Sequence, residues 1–115
     1  MSPKLNRLKN KKDFKKVLRR GKGLREDFLI LKFVKNNLPQ TRIGFIVGIK
    51  VSKRATLRNK VRRRLRELVK KEIDNLKNEL DIVLIAQPGL ENKDFWEIEE
   101  ILNKLFKKAK IIKNG

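Results

Sequence analysis

Eleven cations fall between residues 50 and 71, and the only acid among them is Glu67. They are Lys50, Lys53, Arg54, Arg58, Lys60, Arg62, Arg63, Arg64, Arg66, Lys70 and Lys71. Arginine forks match phosphate oxygens bidentately, so this run suits a polyphosphate partner. With 100° per residue, Asn59, Arg62, Arg63, Arg66 and Lys70 project from one side of a helix. An apolar stripe of Leu57, Val61, Leu65, Leu68, Val69 and Leu76 lies opposite. Asn59 can donate and accept, and so bond a sugar hydroxyl, a base edge or a neighbouring backbone group. Arg58 falls inside the apolar stripe, but in the first turn, where a side chain can escape past the edge of a sheet. Lys50, Lys53, Arg54 and Thr56 sit just before or within that turn, where free N–H groups also attract anions. Loop and first turn together form a candidate phosphate site. A solvated charged face is the bland alternative, but opposite charges for i to i+4 pairing are nearly absent.

Bond-breaking chemistry finds little support. The chain has neither His nor Cys. That removes the usual general base near neutral pH and any thiolate metal site. Ser52 and Thr56 have no base beside them. Nine of the thirteen acids lie between Glu72 and Glu100, and those on the last helix suit its dipole better than a metal. No catalytic residue and no metal ligand is assigned.

The whole chain carries a formal charge of +19 over 115 residues. Such a charge is self-repelling in a compact chain, and a polyanion offsets it by releasing its own counterions. Nucleic acid is the first candidate, an anionic membrane surface the second. No run of 18 apolar residues exists to span a bilayer. A membrane-surface helix would mix basic residues with Trp and Phe, and this one has no aromatic residue.

The elements that must position the cations follow from periodicity. Residues 1–10 read as an extended basic arm within a single domain of residues 1–115. Asn10 caps a helix over Lys11–Arg20 with Phe14, Val17 and Leu18 inward, and Gly21 stops it. Gly21 and Gly23 mark a turn, and Leu24 begins a short strand. Residues 27–35 form a strand apolar on both faces, hence central. Residues 36–39 make a hairpin-type connection. Residues 42–51 form the next strand, with Ile43, Phe45, Val47 and Ile49 on one face and Gly44 and Gly48 on the other. Those glycines mean either a close approach or a bend. The long helix covers residues 57–76, a buried strand 81–86, and a last helix 94–110 opens on a capping box at Asp94 and Glu97. The order αβββαβα is an α/β sandwich with helices on a small sheet.

At Arg58-Asn59-Lys60-Val61-Arg62-Arg63-Arg64-Leu65-Arg66 the chain resembles the bacterial ribonuclease P protein component. Lys50, Asn6-Arg7-Leu8, Asp13-Phe14, Arg42-Ile43-Gly44-Phe45 and the 81–86 strand match in order and spacing. Lys60 replaces an Arg of the signature, Lys53-Arg54 stands where a Gly-Asn turn is usual, and Leu18 replaces a second aromatic.

The resemblance implies a protein partner of a large catalytic RNA that cleaves the 5′ leader from precursor tRNA, with Mg held by the RNA. It implies an endoribonuclease only as a ribonucleoprotein, in the cytoplasm, with no membrane or small-molecule substrate. It also implies a fold like the second domain of ribosomal protein S5, with a left-handed βαβ crossover, against the general preference for the right hand. The residues expected to bind RNA are Asn6, Arg7, Lys50, Lys53, Arg54, Arg58, Asn59, Lys60, Arg62, Arg63, Arg66 and Lys70. A sheet-side cleft of Phe14, Leu18, Leu31 and Phe33 is expected to touch the leader by stacking. Each of these four could equally be ordinary core. A ribosomal or structural RNA-binding protein, and a self-sufficient nuclease, are the competing readings.

Overall fold

A computed structural model describes residues 5–113. Helix α1 covers Lys11–Arg20, strands β1, β2 and β3 cover Lys22–Glu26, Leu29–Lys35 and Arg42–Ile46, helix α2 covers Ala55–Glu72, strand β4 covers Leu80–Ala86 and helix α3 covers Phe95–Ala109. Two single 3-10 turns, Ile73–Asn75 and Leu90–Asn92, link the later elements. The αβββαβα order is the one the periodicity implies. Both predicted caps form. The Asn10 side chain accepts from the Lys12 amide, and Asp94 and Glu97 close a reciprocal capping box.

The sheet order is β1-β2-β4-β3, with β1, β2 and β4 antiparallel in sequence and β3 parallel to β4. Residues 36–39 are therefore not a hairpin, because β2 and β3 are not neighbours. β4 takes the place between them. Ile82, Val83 and Leu84 are each 0% exposed, so β4 is apolar on both faces and must be interior. The 36–41 segment instead bridges the start of β4. The Asn36 amide donates to the Glu79 carbonyl, and the Thr41 hydroxyl donates to the Lys77 carbonyl.

Three other expectations shift. The first turn sits at Asp27–Phe28, not at Gly21 and Gly23. Asp27 takes a left-handed conformation (φ 46°), so the strand expected over 27–35 begins only at Leu29 and the short strand before it runs back to Lys22, the two forming a β1–β2 hairpin with Gly23 inside β1. β3 stops at Ile46 and not at Val51, since the chain turns at Gly48, where the Val51 amide donates to the Gly48 carbonyl. α2 ends at Glu72, and Leu76 reaches the core through the 3-10 turn that follows.

Two apolar layers result. α2 and α3 cover one sheet face, where Leu31, Ile43, Leu65, Ile82, Leu84 and Leu102 are buried. α1 covers part of the other face, over Val17 and Val83 with Leu8. Of the two glycines, Gly44 is a close approach. A Cβ there would stand 2.4 Å from the Phe14 ring, so the missing side chain makes the seat for that ring. Gly48 meets nothing and belongs to the bend. Gly44→Ala is expected to push Phe14 and α1 off the sheet at a cost of about 1–3 kcal/mol, read from the urea midpoint.

The segment of residues 1–10 is an arm only in part. Residues 1–4 lie outside the described residues. The Leu8 amide donates to the Ile43 carbonyl and the Ile43 amide to the Asn6 carbonyl, so the segment adds a bridge to the outer edge of β3. Pairing there protects an otherwise open edge.

Candidate nucleic-acid interface

The signature helix starts where β3 ends. Val47 and Val51 are buried and pin the intervening loop, leaving Ile49 and Lys50 exposed. Ser52 Oγ accepts from the Arg54 amide and holds the helix entry. Arg54 is the N-cap without a side-chain cap, and the first turn contains no acid. Arg58 does escape the apolar stripe, as its place in the first turn suggests, but it turns back on the loop. Its Nη1 donates to the Ser52 and Lys53 carbonyls at 2.9 and 3.0 Å. It braces the entry loop from inside the cluster.

Asn59 and Arg62 form a second fixed unit. Arg62 Nη1 donates to Asn59 Oδ1 at 2.7 Å, and Nη2 donates to the Val47 carbonyl at 3.1 Å. The guanidinium plane is thus set before any ligand arrives, which reduces the entropy lost on binding. One turn on, Arg63 is exposed, as are Lys60 and Lys70. Arg66 is half-buried, and its Nε is buried with no hydrogen-bond partner among the described residues. An unmade buried donor costs about 1–3 kcal/mol. Positions 59, 63, 66 and 70 follow one line along the helix. Among the described residues, no cation on that line makes an ion pair.

The two cluster members on the opposite flank are spent on packing. Arg64 Nη1 donates to the Lys93 carbonyl, and Lys71 pairs with Glu99 at 2.7 Å. Both tie α2 to the α3 side. Lys53 and Arg54 stay exposed in the entry loop, and Asn6 and Arg7 lie along the outer edge of β3, whose end leads into that loop.

The expected cleft is divided. Phe14 and Leu18 lie on the α1 face, with Val34, Ile46 and Ile85 around them. Leu31 is 0% exposed and faces α2 and α3, and Phe33 packs against that same core. Leu31 therefore cannot touch a ligand, and Phe33 does not share a face with Phe14. The cause is strand alternation: residues 29, 31 and 33 face one way and 30, 32 and 34 the other. The residues that replace them beside Phe14 are Lys32, Ile46 and Ile85. Lys32 Nζ donates to the Leu18 carbonyl at 3.1 Å. Sequence alone held the signal. Lys32 is the one charged residue inside a strand otherwise apolar on both faces, and its parity marks the accessible face.

α1 is locked over this face by a polar cluster. Arg42 donates to both oxygens of Asp81 at 2.9 and 2.7 Å and pairs with Asp13 at 3.3 Å. Asn36 adds a bond to Asp81 Oδ1 at 2.9 Å. The Asp81 carboxylate, only 2% exposed, holds the Arg42 guanidinium above its usual range. No group of three carboxylates able to hold a metal occurs among the described residues.

With this geometry stand the comparisons with known proteins. The family profile described as Ribonuclease P matches residues 2–110. The Ribonuclease P protein component of Dictyoglomus turgidum is 36% identical, with 96% of this chain and 94% of that protein covered. The Clostridium botulinum (strain Langeland) protein of the same name is 37% identical over 94% of this chain and 97% of its own. Among solved structures, the Staphylococcus aureus RNase P protein superposes with a TM-score of 0.87 at 26% identity, covering 96% of this chain and all of that one. The Thermotoga maritima RNase P protein gives 0.80 at 32% identity, covering 90% and 96%. A four-stranded sheet with three helices, a cationic line on the helix after β3, and a match along nearly the whole length together place the chain in the Ribonuclease P family.

Proposed function

We propose that this chain is the protein subunit of a ribonucleoprotein that matures the 5′ end of tRNA, while the cleaving groups and their Mg belong to the catalytic RNA. The unpaired line of Arg63, Arg66 and Lys70, with the preset Asn59–Arg62 pair, carries this reading. Phosphates of the catalytic RNA meet that line and the loop cations Lys50, Lys53 and Arg54. Lys60, Asn6 and Arg7 widen the same surface, while Arg58 keeps the loop in shape. The 5′ leader of precursor tRNA lies against Phe14 and Leu18, with Lys32, Ile46 and Ile85 replacing Leu31 and Phe33. Unpaired bases stack on such a surface with little regard to sequence, which suits leaders of many sequences. No helix among the described residues is long and apolar enough to cross a membrane, in keeping with a partner in the cytoplasm.

Reconstitution tests the reading. Protein, catalytic RNA and precursor tRNA are combined, and each is omitted in turn. The expected result is no cleavage by protein alone and efficient cleavage at low magnesium only with both subunits. Cleavage by the protein alone would make it a nuclease in its own right. Unchanged ribozyme activity on adding protein would leave a structural RNA-binding role. Within the reconstituted enzyme, Phe14→Ala is expected to weaken precursor tRNA binding by about 1–3 kcal/mol, the worth of one stacked base. Mature tRNA, which has no leader, should bind as before; equal losses would remove Phe14 from the leader path.

A further inference from the structure

A second basic surface lies at the other end of the sheet. The strand register fixes its distance from the signature loop. Ile46 pairs with Ile85 at the loop end, whereas Lys35 pairs with Leu80 and Lys22 with Phe33 at the far end. At about 3.3 Å per residue, the two ends of β2 are roughly 20 Å apart. One phosphate cannot bridge them.

At the far end is a groove of about 710 Å³. Its apolar lining comes from both sides of the sheet end, with Phe33 and Leu80 from the α2–α3 face and Val34 from the α1 face, all half-buried. Its rim carries Arg20, Lys22, Lys35, Lys77 and Lys113, against one acid, Glu79. None of these five cations makes an ion pair among the described residues. Like charges gathered around an apolar floor repel one another, and nothing in the packing requires them. A cationic rim over an apolar, partly aromatic floor is the combination that takes unpaired nucleotides, phosphate to the rim and base to the floor. Double-stranded RNA would present only its backbone and leave the floor empty.

α1 connects this groove with the leader cleft. Phe14 sits over Gly44 on β3, the Leu18 carbonyl accepts from Lys32 on β2, and Gly21 follows directly against the backbone of Phe33. Phe14 to Arg20 is about 9 Å along the helix axis. A strand that follows the helix past Leu18 and Lys32 reaches Arg20 and Lys22 on rounding its C-terminal end.

We propose that this groove binds the distal, unpaired nucleotides of the 5′ leader, after the strand has passed Phe14 and Leu18. The inference rests on the leader-cleft reading. Its test uses the reconstituted holoenzyme and precursor tRNAs with leaders of about four and about ten nucleotides, within the span of single-strand binding sites. Lys35 and Lys77 are exposed and their side chains make no hydrogen bond among the described residues, so Lys35→Gln with Lys77→Gln should leave folding intact. The expected result is a loss of about 5- to 10-fold in affinity for the long leader, a flatter salt dependence for it, and no change for the short one. Phe33→Leu, which keeps apolar volume and removes the ring, should act in the same direction. A control pair of equal charge change on α3, Lys104→Gln with Lys107→Gln, should alter neither.

Equal losses for both leaders would overturn the proposal, because the groove would then serve the catalytic RNA or the general field. No loss for the long leader would overturn it as well. The underlying cleft reading fails separately, if Phe14→Ala leaves both leaders bound as before.

Discussion

Arg42→Ala is expected to lower the free energy of unfolding by about 3 kcal/mol, at the low end of the cost of breaking a buried ion pair from one side. Asp81 is only 2% exposed and would be left with Asn36 as its remaining side-chain partner. Arg42 itself is 27% exposed in its side chain, so some water can enter, which is why the low end applies. The variant also loses the Asp13 contact that ties α1 to β3. Urea unfolding should show the midpoint falling with the m-value unchanged. Arg42→Ala combined with Asp81→Asn should cost less than the sum of the two single changes, because the orphaned charge is gone. A loss under about 1 kcal/mol for Arg42→Ala would mean that the cluster does not hold α1 in place.

The second large effect concerns RNA and not stability. Arg63→Ala with Arg66→Ala should weaken binding to the catalytic RNA by about 10- to 100-fold, given about 1.5–3 kcal/mol for a hydrogen bond to a charged group and partial compensation by Lys60 and Lys70. The magnitude of the logarithmic salt slope should fall by about 1.4 to 1.8, at about 0.7–0.9 per lost phosphate contact. Unfolding should scarcely change: Arg63 is exposed, and truncating Arg66 removes a buried donor that has no partner. Affinity and stability thus respond to different arginines. Arg58→Ala should do the opposite of Arg63→Ala in emphasis, loosening the Ser52–Lys53 loop and acting on RNA only through it. An unchanged salt slope in the double variant would move the interface off this helix.

The composition and order of residues determined much of this by themselves. Local rules sufficed for the helices: Asn10, Asp94 and Glu97 cap as their types require, and the stripe of Val61, Leu65, Leu68 and Val69 is buried because its spacing allows one dry face. The cationic line on α2 was legible for the same reason, since it depends only on a helical period of 3.6. Tertiary structure decided what depends on contacts between distant segments. Strand order is one such matter: β4 separates β2 from β3 because a strand apolar on both faces gains more inside than at an edge. The cleft is another. Phe14, Leu18, Leu31 and Phe33 look alike as apolar residues, but the parity of β2 puts the last two on the opposite sheet face, Leu31 buried beneath the other helices and Phe33 half-buried at the far end. Side-chain fate within the basic run was also invisible, because Arg58, Arg62 and Arg64 bond to carbonyls of Ser52, Val47 and Lys93 that only the fold brings within reach. Charge and period are properties of a segment; which face is dry, and which cation is already satisfied, are properties of the packed whole.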